Sequence, residues 1–222
     1  MSKIVHPYAH RLGILRDWRH RWFAVAPQYQ KNLKADILLR EYLMKDLRGM
    51  HIGGMEIERN DKTLRIIIKT SRPGLIIGRS GEGSLKLKNK IVAFLKRIKA
   101  EAPEIKLDIE EIRSPESNAA IVAYLVAEGL EKRLPFRRVL KQTIEKTIAN
   151  RDVKGVRIAL GGMLGGGSMS RKEELKKGRI PLQTFRSDID YARERANLPL
   201  GVIGIKVWIY RGEVFADKGK DK

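Results

Sequence analysis

Gly74, Gly78, Gly81 and Gly83 crowd into the short stretch RPGLIIGRSGEG, between a segment that alternates like a strand and one that repeats like a helix. Before it, Leu64, Ile66 and Ile68 alternate with Arg65, Ile67 and Lys69; after it, Leu87, Ile91, Phe94, Leu95 and Ile98 recur at helical spacing. Glycines at a strand-to-helix junction let backbone approach a phosphate closely, and helix N-terminal amides point at it. A P-loop needs four residues between its glycines, then Lys with Ser or Thr. Here three residues separate Gly74 from Gly78, and Arg79 with Ser80 follows. A dinucleotide fingerprint needs glycines at the first, third and sixth positions, whereas Gly78, Gly81 and Gly83 give the first, fourth and sixth. Both nucleotide readings fail.

What remains is Gly78-Arg79-Ser80-Gly81, the GXXG of a KH loop, which clamps about four nucleotides of single-stranded backbone. Arg79 puts a cation at the tip and Arg72 stands just before the loop, so Arg72, Gly78, Arg79, Ser80 and Gly81 are candidate RNA contacts; the plain alternative is a structural turn. Upstream, Leu33, Ile37, Met44 and Leu47 predict a helix from Gln28, packed by that stripe and stopped near Gly49. Met55 and Ile57 alternate with Glu56 and Glu58 in a strand that forms a hairpin with the one at Leu64, and IKLDIEEI from Ile105 is a further strand. A helix and strand ahead of the loop suggest the type II, prokaryotic KH arrangement.

RSPES, from Arg113, reads as a linker at 113–116, because Ser-Pro favours a turn or a helix start. A second unit, 117–214, opens with a helix of about 18 residues to Leu134, broken at Pro135. A second helix runs from Phe136 to near Ile148 with Phe136, Val139, Leu140, Ile144 and Ile148 inward. VKGVRIAL, IPLQTF and GVIGIKVWIY read as strands, the last with Ile203, Ile205, Val207 and Ile209 on one face. The fold expected is α+β: a type II KH domain at 28–112, with helices on one face of a small sheet, then an α/β sandwich of two helices on an antiparallel-rich sheet. Residues 1–27 read as a basic arm and 215–222 as a disordered basic tail.

Lys and Arg number 46 against 26 Asp and Glu, a net charge of +20, while 42% of the residues are hydrophobic, so the chain is globular and basic. Divided after Ile112, each part holds 23 basic and 13 acidic residues, so the excess belongs to the whole molecule. Such a surface attracts nucleic acid or anionic membrane. Apolar runs such as IVAYLVA fall far short of the roughly 20 residues of a spanning helix. MSKIVHPYAH has no signal-peptide apolar region, so retention in its own compartment, without membrane partners, is expected. The absence of Cys removes disulfides, thiolate zinc and cysteine nucleophiles.

EKRLPFRRVLK concentrates Lys132, Arg133, Arg137, Arg138 and Lys141 against Glu131. Arg137 and Lys141 lie one turn apart with Arg138 beside them, a surface able to meet a phosphate backbone or simply to be solvated. His6 and His10 have metal-pair spacing but no third ligand, and His20 and His51 are isolated, so no metal, cofactor or small-molecule substrate is expected. Asp188 and Asp190 could pose as paired carboxylates but read as ion pairs or caps among arginines. GGMLGGG fits no nucleotide fingerprint and reads as a hinge, a bulge or close packing against RNA. Trp18 and Trp22 could stack on bases, while Trp208, opposite an apolar strand face, reads as partly core.

VHPYAHRLGI, WFA, RPGLIIGRSGEG, FRRVLK, GRIPLQTFRSDIDYA and GVIGIKVWIYRGE together resemble the third small-subunit ribosomal protein family, bacterial or organellar in type, over nearly the whole chain. The resemblance implies a non-enzymatic protein of the cytoplasmic or organellar ribosome that binds the 3′ head domain of small-subunit ribosomal RNA. It implies neighbours in small-subunit proteins ten and fourteen, and a place where messenger enters, near proteins four and five. There Arg137, Arg138 and Lys141 match a set that unwinds messenger passively. Arg11, Arg171, Arg179 and Arg186 are added as candidate ribosomal RNA contacts. This chain departs from the family where GGMLGGGSMSRKEE replaces the usual GRLGGAEIARTEW, with Met163, Ser168 and Glu174 standing for an Arg, a Glu and an aromatic. RERANLPL and a short C-terminal tail also depart. Two other readings stay open: a free KH-type RNA-binding regulator, and a nucleic-acid enzyme, for which no base or metal cluster is evident.

Overall fold

The computed structural model describes residues 5–60, 62–98 and 104–215. They form two compact units, Trp18–Arg113 and a second that joins residues 5–17 to 114–215. The stretch read as one basic arm is therefore divided between the two. Of the expected tail at 215–222, all but Phe215 lies outside the described residues.

In the first unit, β1 (His20–Arg21) and α1 (Ala26–Asp46) precede the hairpin of β2 (Ile52–Arg59) and β3 (Thr63–Thr70). Then follow α2 (Pro73–Ile77), α3 (Glu82–Arg97) and β4 (Glu104–Glu111). The sheet order is β1-β2-β3-β4, with β2 and β3 antiparallel and β4 parallel to β3, Ile66 opposite Leu107. A parallel neighbour requires a crossover, and α2 with α3 supply it. Met55, Ile57, Leu64, Ile66 and Ile68 alternate onto one face and pack with Leu39 and Leu43 of α1 and Leu87, Ile91 and Leu95 of α3. This is the expected type II KH domain.

The buried face of α1 differs from the expected stripe. Leu33, Ile37 and Met44 are 39%, 50% and 44% exposed, and of the four predicted residues Leu47 alone is buried. Asn32, Ala35, Asp36, Leu39 and Leu43 turn inward instead. The cause is a buried ion pair: the Arg59 guanidinium, at the end of β2, donates to the Asp36 carboxylate and to Asn32 Oδ1. Two polar residues that a periodic reading puts outside are thereby held in.

The second unit is two-layered. Helices α4 (Ala119–Glu131) and α5 (Phe136–Ala149) cover one face of an antiparallel sheet of β5 (Gly155–Gly162), β6 (Arg171–Gly178), β7 (Ser187–Leu198) and β8 (Gly201–Glu213), in the order β6-β5-β8-β7. Ile203, Ile205, Val207 and Ile209 all face that core, as expected, and Val139, Leu140 and Ile144 of α5 meet them. Asn118 caps α4, its Oδ1 accepting from the Ala120 N–H at 2.9 Å. The helix ends at Glu131 rather than Leu134, because Arg133 adopts a left-handed φ of 59° and turns the chain toward Pro135.

Residues 180–185, expected as a strand, are irregular, and their carbonyls serve Arg11. That guanidinium is fully buried and donates to the carbonyls of Pro7, Leu182, Thr184 and Ser187. It pins residues 5–17 to the second unit. Residues 171–178, a charged stretch for which no strand was expected, form β6 at the sheet edge.

Candidate nucleic-acid interface

The GXXG loop is built from conformations few side chains accept. Gly78 closes α2 at φ 70°, Ser80 has φ 52° and ψ 22°, and Gly81 opens α3 at φ 81°. Three left-handed residues in a row of four force a tight reversal, leaving Arg79 and Ser80 exposed at its apex. Gly83 has a different task from the one its neighbours suggested. A Cβ there would stand 2.4 Å from the Ile76 carbonyl oxygen and 2.8 Å from that of Ile77, so it is the contact point of α2 with α3. Ser84 Oγ donates to the Gly81 carbonyl at 2.7 Å and stiffens the turn. Arg72 and Arg79 are exposed and have no ion-pair partner among the described residues. Ile76 is buried beneath the loop while Leu75, Ile77 and Leu85 are exposed beside it, so the cationic tip has an apolar flank. Phosphate can meet the tip and a base the flank.

The second cluster gathers at the start of α5. Arg137, Arg138 and Lys141 are exposed, and Arg138 and Lys141 have no ion-pair partner among the described residues. Arg137 lies 5.6 Å from the Phe136 ring centre, Arg171 of β6 lies 5.5 Å from it, and Glu173 is 3.5 Å and 3.7 Å from the two guanidinium groups. The sequence offered Arg137 and Arg171 as separate candidates; the α5–β6 packing brings them together around an aromatic ring. Phe136 packs against the core as expected, but its contact with the two guanidinium groups and the part of Glu173, which the sequence did not single out, were missed. Lys132 pairs with Glu128 at 2.6 Å, one turn back, and Arg133 stands at the exposed turn between the helices.

The added candidates separate by burial. Arg11 is a structural staple, so its reading as an RNA contact is corrected: desolvation lowers its pKa, and its donors are consumed by carbonyls. Arg179 is exposed, and Arg186 pairs with Glu213 at 2.6 Å. Asp188 pairs with Arg16 at 2.6 Å, and Asp190 pairs with Arg211 at 3.2 Å while accepting the Ala119 N–H, so both are structural, as expected. Trp208 is buried. Among the described residues no group of three or more His, Cys, Asp or Glu could hold a metal, and no helix is long and apolar enough to cross a membrane.

A KH fold with an open cationic tip, followed by a helix-covered antiparallel sheet carrying its own cations, defines a two-domain RNA-binding protein. The family model described as KH domain matches residues 38–117, and that of ribosomal protein S3, C-terminal domain, matches residues 126–209. The chain is 41% identical over 218 residues to small ribosomal subunit protein uS3 of Clostridium novyi (strain NT), covering 98% of this chain and 96% of that one. It is 42% identical over 219 residues to the protein of that name from Caldicellulosiruptor saccharolyticus, covering 99% and 96%, and 39% identical over 218 residues to that of Coxiella burnetii, covering 98% and 93%. The chain belongs to the ribosomal protein S3 family, an RNA-binding, non-enzymatic family.

Proposed function

We propose that the chain, as a structural protein of the small ribosomal subunit, grips ribosomal RNA of the 3′ head domain with its GXXG loop and lines the channel through which messenger enters with α5. The observation that carries the first half is the loop itself: three left-handed residues lift Arg79 and Ser80 clear of the fold with no carboxylate paired to Arg79 among the described residues. Exposed Arg138 and Lys141, without acid partners among the described residues, support the second half. Cations on a rigid helix can hold a separated strand without hydrolysing a nucleotide, so unwinding is passive. The exposed Leu33, Ile37 and Met44 of α1 offer an apolar surface for protein neighbours, for which small-subunit proteins ten and fourteen are the candidates; proteins four and five belong near α5.

The test replaces Arg79 and Ser80 by Asp and measures binding to a transcript of the 3′ domain of small-subunit RNA. Asp tolerates left-handed backbone, so the loop geometry is kept while its charge is reversed. Affinity should drop about tenfold at 0.1 M salt, on the order of the loss of one or two phosphate contacts. Unchanged affinity and salt dependence would reduce the loop to a turn.

A further inference from the structure

The two sheets treat their open faces in opposite ways. On the KH sheet, Arg65 lies between Glu58 at 3.2 Å and Asp108 at 2.5 Å, and Lys69 between Glu56 at 2.7 Å and Glu110 at 3.6 Å. That face neutralises itself. The second sheet does not. Its face away from α4 and α5 is read from three cross-strand rows: Lys172–Gly161–Gly204–Arg195, Glu174–Ala159–Lys206–Arg193, and Lys176–Arg157–Trp208–Tyr191. Lys172, Lys176, Arg193, Arg195 and Lys206 are exposed. Glu174, the one acid in these rows, is occupied by Arg157 at 2.6 Å, and that guanidinium lies 4.9 Å from the Trp208 ring centre. Lys172, Lys176, Lys206 and Arg193 have no ion-pair partner among the described residues.

The middle of this face is paved with residues that have almost no side chain: Gly161, Gly204 and Ala159. Glycine inside a strand is unfavourable, so the fold should require it where it occurs. At Gly155 it does, since a Cβ would stand 2.1 Å from the Arg179 carbonyl oxygen. At Gly161 and Gly204 it does not: the nearest atoms to a Cβ are at 3.8 and 3.7 Å, ordinary contact distances, and neither has a left-handed φ. Ile180, Leu182 and Tyr191 pack with Ile189, Trp208 and Tyr210, and Ala159 borders that cluster, so one end of the sheet is covered and the end at Gly161 and Gly204 is outside it. Flat backbone fenced by unpaired cations has the shape and charge to take a phosphate chain at close range.

We propose that this open face, across Gly161 and Gly204, is a third RNA-docking surface that receives a sugar–phosphate backbone between Lys172, Lys206 and Arg193. It is separate from the GXXG loop and from the exposed cations of α5, and it rests on the reading that the ligand is small-subunit ribosomal RNA. It accounts for strand glycines that packing leaves unexplained, and it extends to the divergent β6, whose Lys172 and Lys176 help form the fence.

The test uses the full chain and the 3′-domain transcript, with two variants and a control. Gly161→Thr with Gly204→Thr leaves charge unchanged and improves β propensity, so thermal stability should hold or rise while RNA affinity falls at least about threefold, because the phosphate chain is kept at a distance. Lys172→Glu with Arg193→Glu and Lys206→Glu should cost at least about tenfold and flatten the plot of log affinity against log salt by roughly two to three. The control reverses Lys31, Lys34 and Lys45 on α1 to Glu, an equal change in net charge, and should cost markedly less. Wild-type affinity in the threonine variant, or equal losses in the two charge reversals, overturns the proposal. Intact RNA affinity with loss of incorporation into the subunit would assign the face to an acidic protein instead and also overturn it. Loss of affinity in these variants, with none on reversing the loop by Arg79→Asp and Ser80→Asp, would sink the loop reading and spare this one; the converse pattern would do the opposite.

Discussion

Arg11 and Arg138 carry the same guanidinium group into opposite surroundings. Arg11 is buried among four carbonyl oxygens that accept its N–H groups, and Arg138 is open to solvent with no carboxylate partner among the described residues. Replacing Arg11 by Ala strands buried acceptors, so stability in chemical denaturation should fall by about 2–4 kcal/mol, whereas Arg138→Ala should change it by less than about 0.5 kcal/mol. Equal losses would mean that the N-terminal segment is not anchored by Arg11. No local pattern distinguishes these two residues, since three of the acceptors of Arg11 lie 171, 173 and 176 positions away. His20 shows a second residue-scale effect. Its Nδ1 accepts the Ile57 N–H at 3.2 Å, and burial, followed by the charge of Arg40, lowers its pKa. As pH falls through the ordinary histidine value of about 6.5, the unfolded chain therefore binds the proton first, and stability present above that pH is lost below it. Melting profiles between pH 7.5 and 5 should slope downward, and His20→Asn, which can still accept the N–H, should flatten them; identical slopes would remove His20 from the account.

At the scale of elements, packing glycines and ion pairs explain what periodicity could and could not reveal. Strands β2, β3, β4, β5 and β8 and the inward face of α5 were legible because one face of each is apolar at regular spacing, whereas β7, which alternates charged residues with few apolar ones, was not. The face of α1 was not, because Asp36 and Arg59 are 23 positions apart and only their pairing brings polar residues inside. Edge strand β6 was hidden by its composition, RKEELKKG, where two half-buried residues, Glu173 and Leu175, are all that alternate. The GXXG spacing was legible, but the function of Gly83 needed the neighbouring helix. Gly83→Ala should destabilise the first unit by about 1–3 kcal/mol through the clash with α2, measurable as an earlier unfolding transition; an unchanged transition would show that α2 can shift freely. On α5, Ala at Arg137, Arg138 and Lys141 should leave stability nearly intact and slow translation of messages with a stable hairpin near the start codon. Equal rates on structured and unstructured messages would refute the unwinding role.

For the whole molecule, a net charge of +20 is divided evenly along the chain, so the electrostatic attraction for RNA is not confined to one loop. The GXXG tip, the α5 cations and the open face of the second sheet are separate surfaces on two units, and under the proposals made above each contributes its own phosphate contacts. This distribution favours a protein that stays embedded in a large RNA over a free regulator that visits a short site. Sedimentation of a cell lysate through a sucrose gradient tests that most directly. In low salt the protein should travel wholly with the small ribosomal subunit and leave it only when the salt is raised enough to strip basic proteins from RNA. Recovery of most of the protein in the free fractions at low salt would contradict the account.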